Sequence, residues 1–169
     1  MKKLTLLFVL TLSFILGANT QGTMPEFSSE GDTVWYYIQF KNGGHCLSAP
    51  SATTGVLVTA DKSNVEKQKW ALVGTKDNFT LVNKTGTKVS FSSSRFRATT
   101  GTGVSLRLVA GSSCWEIQRT TSTLCMNQWG GTSVGVQLGE YTAGDPNNGL
   151  NFVLAQSVIP KCQRILWGE

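Results

Sequence analysis

The chain has 169 residues, four cysteines, a single histidine and a formal net charge of +5. That length suits about one domain with one core. The basic residues are scattered, with no basic run interleaved with aromatics, so no nucleic-acid partner is expected. One histidine and no Cys-x-x-Cys leave no familiar zinc ligand set, and no cofactor is expected.

Residues 1–18 read as a signal peptide. Lys2 and Lys3 precede an apolar run from Leu4 to Leu16, and the small residues Gly17 and Ala18 follow. The run is shorter than the roughly 20 residues a membrane-spanning helix needs. A bacterial exported protein is therefore expected, secreted, periplasmic or at the cell surface, with no membrane span in the mature chain. Loss of Lys2 and Lys3 would leave a charge of about +3. Residues 19–32 are small and polar, with Pro25 and Gly31, and read as a flexible lead-in.

From residue 33 the chain is a series of short β segments separated by Gly, Ser, Asn and Thr. The stretch Trp35 to Leu47, WYYIQFKNGGHCL, sets the pattern. Its aromatic and β-branched residues suit a half-buried strand, and Asn42-Gly43-Gly44 suits a tight turn. Looser copies follow. The first unit has strands expected at 35–41, 46–49, 56–60 and 69–73. The second has them at 78–83, 88–92, 95–99 and 104–109, and the third at 114–119, 124–127, 134–138 and 150–154. Tyr37, Phe79 and Trp115 open the three apolar patterns. Three units of four strands predict an all-β β-trefoil over 33–155, a six-stranded barrel capped by three hairpins. Barrel closure removes the exposed sheet edges that favour aggregation. Residues 156–169, broken by Pro160, read as a tail or linker.

Four cysteines and an exported chain allow disulfides. If 115–119 and 124–127 form a hairpin turning near Thr121, Cys114 and Cys125 lie nearly opposite each other and become the candidate pair. The alternative is two small buried apolar side chains. Catalytic residues are not expected. His45 sits at a turn without an evident acid partner, the carboxylates are dispersed, and no Gly-x-Ser-x-Gly elbow occurs. Asn78-Phe79-Thr80 and Asn83-Lys84-Thr85 match glycosylation acceptors but read as strand and turn sequence in a bacterial chain.

Gly43-Gly44-His45-Cys46-Leu47, followed by Gln68-Lys69-Trp70, resembles the ricin-B-type β-trefoil lectin repeat, marked by Gly-x-Cys-Leu-Asp and Gln-x-Trp. Leu124-Cys125-Met126-Asn127 resembles the same segment. WYYIQFKNGG also resembles the trefoil modules at the front of secreted Bacteroidetes glycan-degrading enzymes. The resemblance covers Trp35 to Ala155. It implies that Trp70, Leu106 and Phe152 sit near core positions of the barrel. It also implies one sugar site per repeat, built from an acid after Cys-Leu, an aromatic platform and an Asn before Gln-x-Trp.

Carried over, the acid position holds Ser48 in the first unit and lies near Ser90 in the second. Neither has an aromatic platform, so both sites look lost. The third unit has Asn127 at the acid position, Tyr141 as platform, Trp129 as a second aromatic, and Asn147 and Asn148 as amides. These five are the expected carbohydrate-binding residues. The resulting expectation is a secreted, non-catalytic glycan-binding module. The alternatives are a scaffold or interaction domain leading a larger glycan-degrading enzyme and followed by its catalytic domain, or a protease-inhibitor trefoil.

Overall fold

A computed structural model describes residues 22–29 and 32–155. The expected signal peptide and the tail with Cys162 lie outside the described residues.

Among the described residues thirteen strands follow one another: β1 (Tyr36–Phe40), β2 (Cys46–Ser48), β3 (Gly55–Val56), β4 (Val58–Ala60), β5 (Lys69–Thr75), β6 (Asn78–Asn83), β7 (Lys88–Ser92), β8 (Arg95–Thr99), β9 (Leu106–Ala110), β10 (Trp115–Arg119), β11 (Leu124–Gln128), β12 (Leu138–Thr142) and β13 (Leu150–Leu154). One turn of 3-10 helix, Glu66–Gln68, precedes β5. Antiparallel pairings run β1–β5, β5–β6, β6–β9, β9–β10, β10–β13 and β13–β1. That circuit closes on itself, so these six strands form a barrel. The remaining strands form caps: β2 with β4, β7 with β8, which also pairs with β3, and β11 with β12. The chain folds as a β-trefoil.

The barrel interior is stacked in threes. Tyr36 lies opposite Trp70, Phe79 opposite Leu106, and Trp115 opposite Leu150. Two residues further along each strand come Ile38, Leu81 and Ile117, all wholly buried. The period of two explains the pattern, because alternate side chains of every barrel strand share one face. Trp70 is also tied by its indole N–H to the Leu47 carbonyl, 3.0 Å away. The buried indole thus keeps its polar handle satisfied.

The register moves two sequence expectations. The repeat phase starts at Tyr36, not Tyr37, for Tyr36 takes the place of Phe79 and Trp115. Tyr37 belongs to the opposite face, where its hydroxyl meets Asn64 Oδ1 at 3.3 Å and Lys62 lies over its ring. In the third unit Leu150, not Phe152, takes the place of Trp70 and Leu106. Phe152 lies two residues on, half-buried, with its edge against Tyr36 at 6.0 Å between centroids.

Three further expectations are corrected. The third unit's third strand is Leu138–Thr142 rather than 134–138. The segment before it belongs to the first unit's cap: the Gly135 N–H bonds to the Thr59 carbonyl, and Val136 receives the Thr59 N–H. The lead-in expected to be flexible is packed over 22–29. Phe27 stacks edge-on against Phe79 at 5.5 Å, and the Ser28 N–H bonds to the Leu72 carbonyl at 2.7 Å. The Cys114–Cys125 bridge is not formed. Gln118, not Cys114, lies opposite Cys125 in the hairpin, and Cys125 is a free buried thiol. A strand's length separates the two cysteines, which is why the pairing fails.

Candidate functional site

The third unit carries the site, and its cap strands place it. Within β11, Cys125 and Asn127 are paired with Tyr141 and Gly139 of β12. Two residues apart on one strand, Cys125 and Asn127 share a face. The chain leaving β12 turns through Gly144, Asp145 and Pro146 and returns past Asn147. A shallow groove of about 190 Å3 results, lined by Asn127, Trp129, Gly130, Tyr141, Asp145 and Asn147. Four of the five expected residues therefore converge: Asn127, Trp129, Tyr141 and Asn147.

Tyr141 is 52% exposed and its ring makes no hydrogen bond or ring contact among the described residues. Trp129 is 45% exposed. One face of the indole is covered by the Arg95 guanidinium, 3.4 Å from the ring centroid, and Arg95 is steadied in turn by Gln137 Oε1 at 3.1 Å. The indole packs against the backbone at Gly139, where an added Cβ would come within 2.6 Å of the ring.

Asn148 is not part of the groove. It is wholly buried, its Nδ2 donating to the Thr142 carbonyl at 2.8 Å and its Oδ1 accepting from Asn127 Nδ2 at 2.7 Å. Gln68 does the same in the first unit. Its Nε2 donates to the Asp61 carbonyl at 2.7 Å, and its Oε1 accepts the Ser63 N–H at 2.7 Å. Gln68 stands two residues before Trp70, and Asn148 two before Leu150. Asn148 is thus the third unit's version of the Gln-x-Trp glutamine, a clamp on the preceding loop. The sequence expectation failed here because the motif survives as Asn-Gly-Leu, without either signature side chain.

The missing acid is supplied from elsewhere. Asp145 Oδ1 accepts from Asn127 Nδ2 at 3.2 Å and from the Asn147 N–H at 2.9 Å. Its Oδ2 accepts no hydrogen bond among the described residues. Asn127, 4% exposed, spends its amide nitrogen on Asn148 and Asp145, so it orients the carboxylate. The Asp-Pro-Asn-Asn-Gly run reads in sequence as a turn, which hid Asp145. Its only sequence signal is its place two residues before Asn147.

The opening turn of the fold walls one side. Asn42 Nδ2 donates to Asn147 Oδ1 at 2.7 Å, and the Asn42 carbonyl accepts from the buried Gln128 Nε2 at 2.8 Å. Gly43, at φ +85, lets the turn sit close: a Cβ there would come within 2.7 Å of the Thr132 carbonyl oxygen.

The corresponding positions elsewhere lack these groups. Ala60 lies opposite Cys46 as Tyr141 lies opposite Cys125, so the first unit has no platform. His45 does have an acid beside it, Asp61 at 3.1 Å, contrary to the sequence expectation. Among the described residues no group of three His, Cys, Asp or Glu could hold a metal ion, and no helix is long and apolar enough to cross a membrane.

No family model and no curated protein matches the chain. Solved structures do. A ricin B-like lectin from Macrolepiota procera, in complex with lactose, superposes with a TM-score of 0.66 at 12% identity, covering 78% of this chain and 99% of that one. The Rhizoctonia solani agglutinin gives 0.65 at 19% identity, with 78% and 99% covered. The C-terminal half of an earthworm R-type lectin, in complex with GalNAc, gives 0.61 at 12% identity, with 72% and 98% covered. The likeness shows the fold: this chain is a β-trefoil of the kind found in the ricin-B-type lectins.

Proposed function

We propose that the protein is a secreted, non-catalytic glycan-binding module whose sugar site is the third-unit groove. One observation carries the reading: an exposed Tyr141 ring, the open Oδ2 of Asp145 and the Asn147 amide all border one shallow hollow. A pyranose needs that set, an aromatic surface for its C–H face and fixed polar groups for its hydroxyls. Asn147 Oδ1 is held by Asn42, which leaves its Nδ2 as the donor. Asp145 is the acceptor, held by Asn127 and by the Asn147 N–H. Structural neighbours crystallised with lactose and with GalNAc make galactose-type sugars the first to try.

A glycan array followed by titration calorimetry tests this. Binding should be lost on Tyr141→Ala with the melting temperature retained, and on Asp145→Ala with the fold intact but the melting temperature lowered by the loss of its two loop hydrogen bonds. An array without hits ends the proposal. The competing reading, an interaction or scaffold module without a sugar site, draws on Arg95 covering one face of Trp129. A catalytic reading frame following in the same gene would favour it. Export is tested by finding the protein, shortened at its amino terminus, in the periplasm or medium.

A further inference from the structure

We propose that the groove continues over the Asn42–Asn147 contact into a second hollow, and that the ligand is a neutral oligosaccharide of at least two sugars. This rests on the third-unit sugar site. The second hollow, about 380 Å3, is lined by Lys41, Asn42, Ser112, Glu116, Asp145 and Pro146 among others. Asp145 lines both hollows. Asn42, which lines the second hollow, and Asn147, which lines the first, are joined side chain to side chain at 2.7 Å, so a polar contact links the two. Alone, the first groove of about 190 Å3 is smaller than the range of small-molecule sites, roughly 300–1,000 Å3. The second lies within that range.

The second hollow is built to meet hydroxyls. Lys41 Nζ is tethered to the Ser112 carbonyl at 3.2 Å, which uses one of its three N–H donors and leaves two. Glu116, 2% exposed, is fixed by the Gly144 N–H, which reaches both carboxylate oxygens at 3.0 and 3.2 Å. One ammonium faces two carboxylates there, Glu116 and Asp145. A sugar bearing its own carboxylate would meet a net negative lining, so a neutral chain is favoured.

The test compares galactose, lactose, the neutral tetrasaccharide lacto-N-neotetraose and sialyllactose by calorimetry on the full mature chain. A neutral chain should bind roughly threefold to tenfold more tightly than galactose, the gain of one or two net hydrogen bonds. Sialyllactose should bind no better than lactose. Ser112→Trp, placed on an exposed rim, should reduce the ratio of tetrasaccharide to galactose affinity to near one, with Lys41→Ala reducing it partly. Equal affinities for galactose and the longer chains would overturn the inference and leave the sugar site standing. So would a ratio that Ser112→Trp does not change, or tighter binding of sialyllactose. If no sugar binds, including all those on the array, the third-unit site itself is wrong.

Discussion

Two adjacent amides, Asn147 and Asn148, should respond in opposite ways to the same truncation. Asn148 is wholly buried and makes two short hydrogen bonds, to the Thr142 carbonyl and from Asn127 Nδ2, plus a long one of 3.5 Å to Glu116 Oε2. Asn148→Ala removes all of them and leaves the Thr142 carbonyl without that donor in the loop's interior. Each lost bond costs about 1 kcal/mol net, and a buried group left unpaired costs roughly 1–3 kcal/mol. The expected loss is roughly 2–4 kcal/mol, which in a domain of this size lowers the melting temperature by about 8–15 °C. Asn147 is only half-buried, and among the described residues its side chain makes one hydrogen bond, with Asn42. Asn147→Ala should cost less than about 1 kcal/mol of stability. It should instead weaken sugar binding, since it removes the donor from the groove. Calorimetric melting and ligand titration of both variants read the two effects separately. The reasoning fails if Asn148→Ala melts like wild type, or if Asn147→Ala is the more destabilising of the two.

Three other outcomes follow from the geometry. The Cys125 thiol is pushed up to about 12, by burial first and then by Glu116 beside it. A raised thiol is favourable to the fold below its free value of 9.0, and that contribution is lost as pH climbs from there towards about 12. Stability should be flat near neutrality and fall above pH 9, Cys125→Ala should flatten the fall, and native Cys125 should resist alkylation at pH 8. Arg119 holds Glu140 through two bonds of 2.7 Å, and the Glu140 side chain is only 6% exposed. Arg119→Met strands that carboxylate and should cost about 3–5 kcal/mol by urea unfolding, with Glu140→Gln in the same chain recovering part of the loss. Gly139→Ala should push the Trp129 ring off its seat, changing tryptophan emission and sugar affinity; unchanged emission would contradict the contact drawn from an added Cβ.

The fold was legible because its signal is spread over many residues. Alternation at Tyr36, Ile38 and Phe40 recurs at Phe79 and Leu81 and again at Trp115 and Ile117, so losing one cue leaves others. Barrel strands predicted at 35–41, 69–73, 78–83 and 150–154 overlap the observed ones. Register was less legible, since Tyr36 and Tyr37 carry nearly the same side chain and only pairing across the barrel tells them apart. The strand 138–142 was misplaced because the apolar Val134 and Val136 imitate a strand, whereas hydrogen bonds to Thr59 draw that segment into another unit's cap. The disulfide expectation failed on register: a hairpin centred near Thr121 puts Gln118 across from Cys125, and Cys114 lies four residues away along the chain.

The site was half-legible, and the division has a physical basis. The groups proposed to hold a sugar sit on strands or turns whose order the repeat predicts, so Asn127, Tyr141 and Asn147 could be placed by counting. Supporting groups come from other parts of the chain. Asn42, whose carbonyl accepts from Gln128 of the third unit, and Arg95 reach that unit from contacts that only closure of the barrel creates. That closure also bears on why the third unit has the aromatic-lined groove and the first does not. The first unit's Gly-Gly turn packs against the third unit and holds Asn147, while the second unit supplies Arg95 to Trp129. The corresponding first-unit hollow receives Thr85 and Thr87 from the second unit instead, and offers Pro50 and Ser51 at the positions of Trp129 and Gly130. The barrel tolerates this divergence because its core layers, Ile38 with Leu81 and Ile117 above all, lie apart from the cap loops. Stability therefore constrains the strands of all three units alike, while the groove-facing side chains of each cap can diverge within the frame that the neighbouring units lend it.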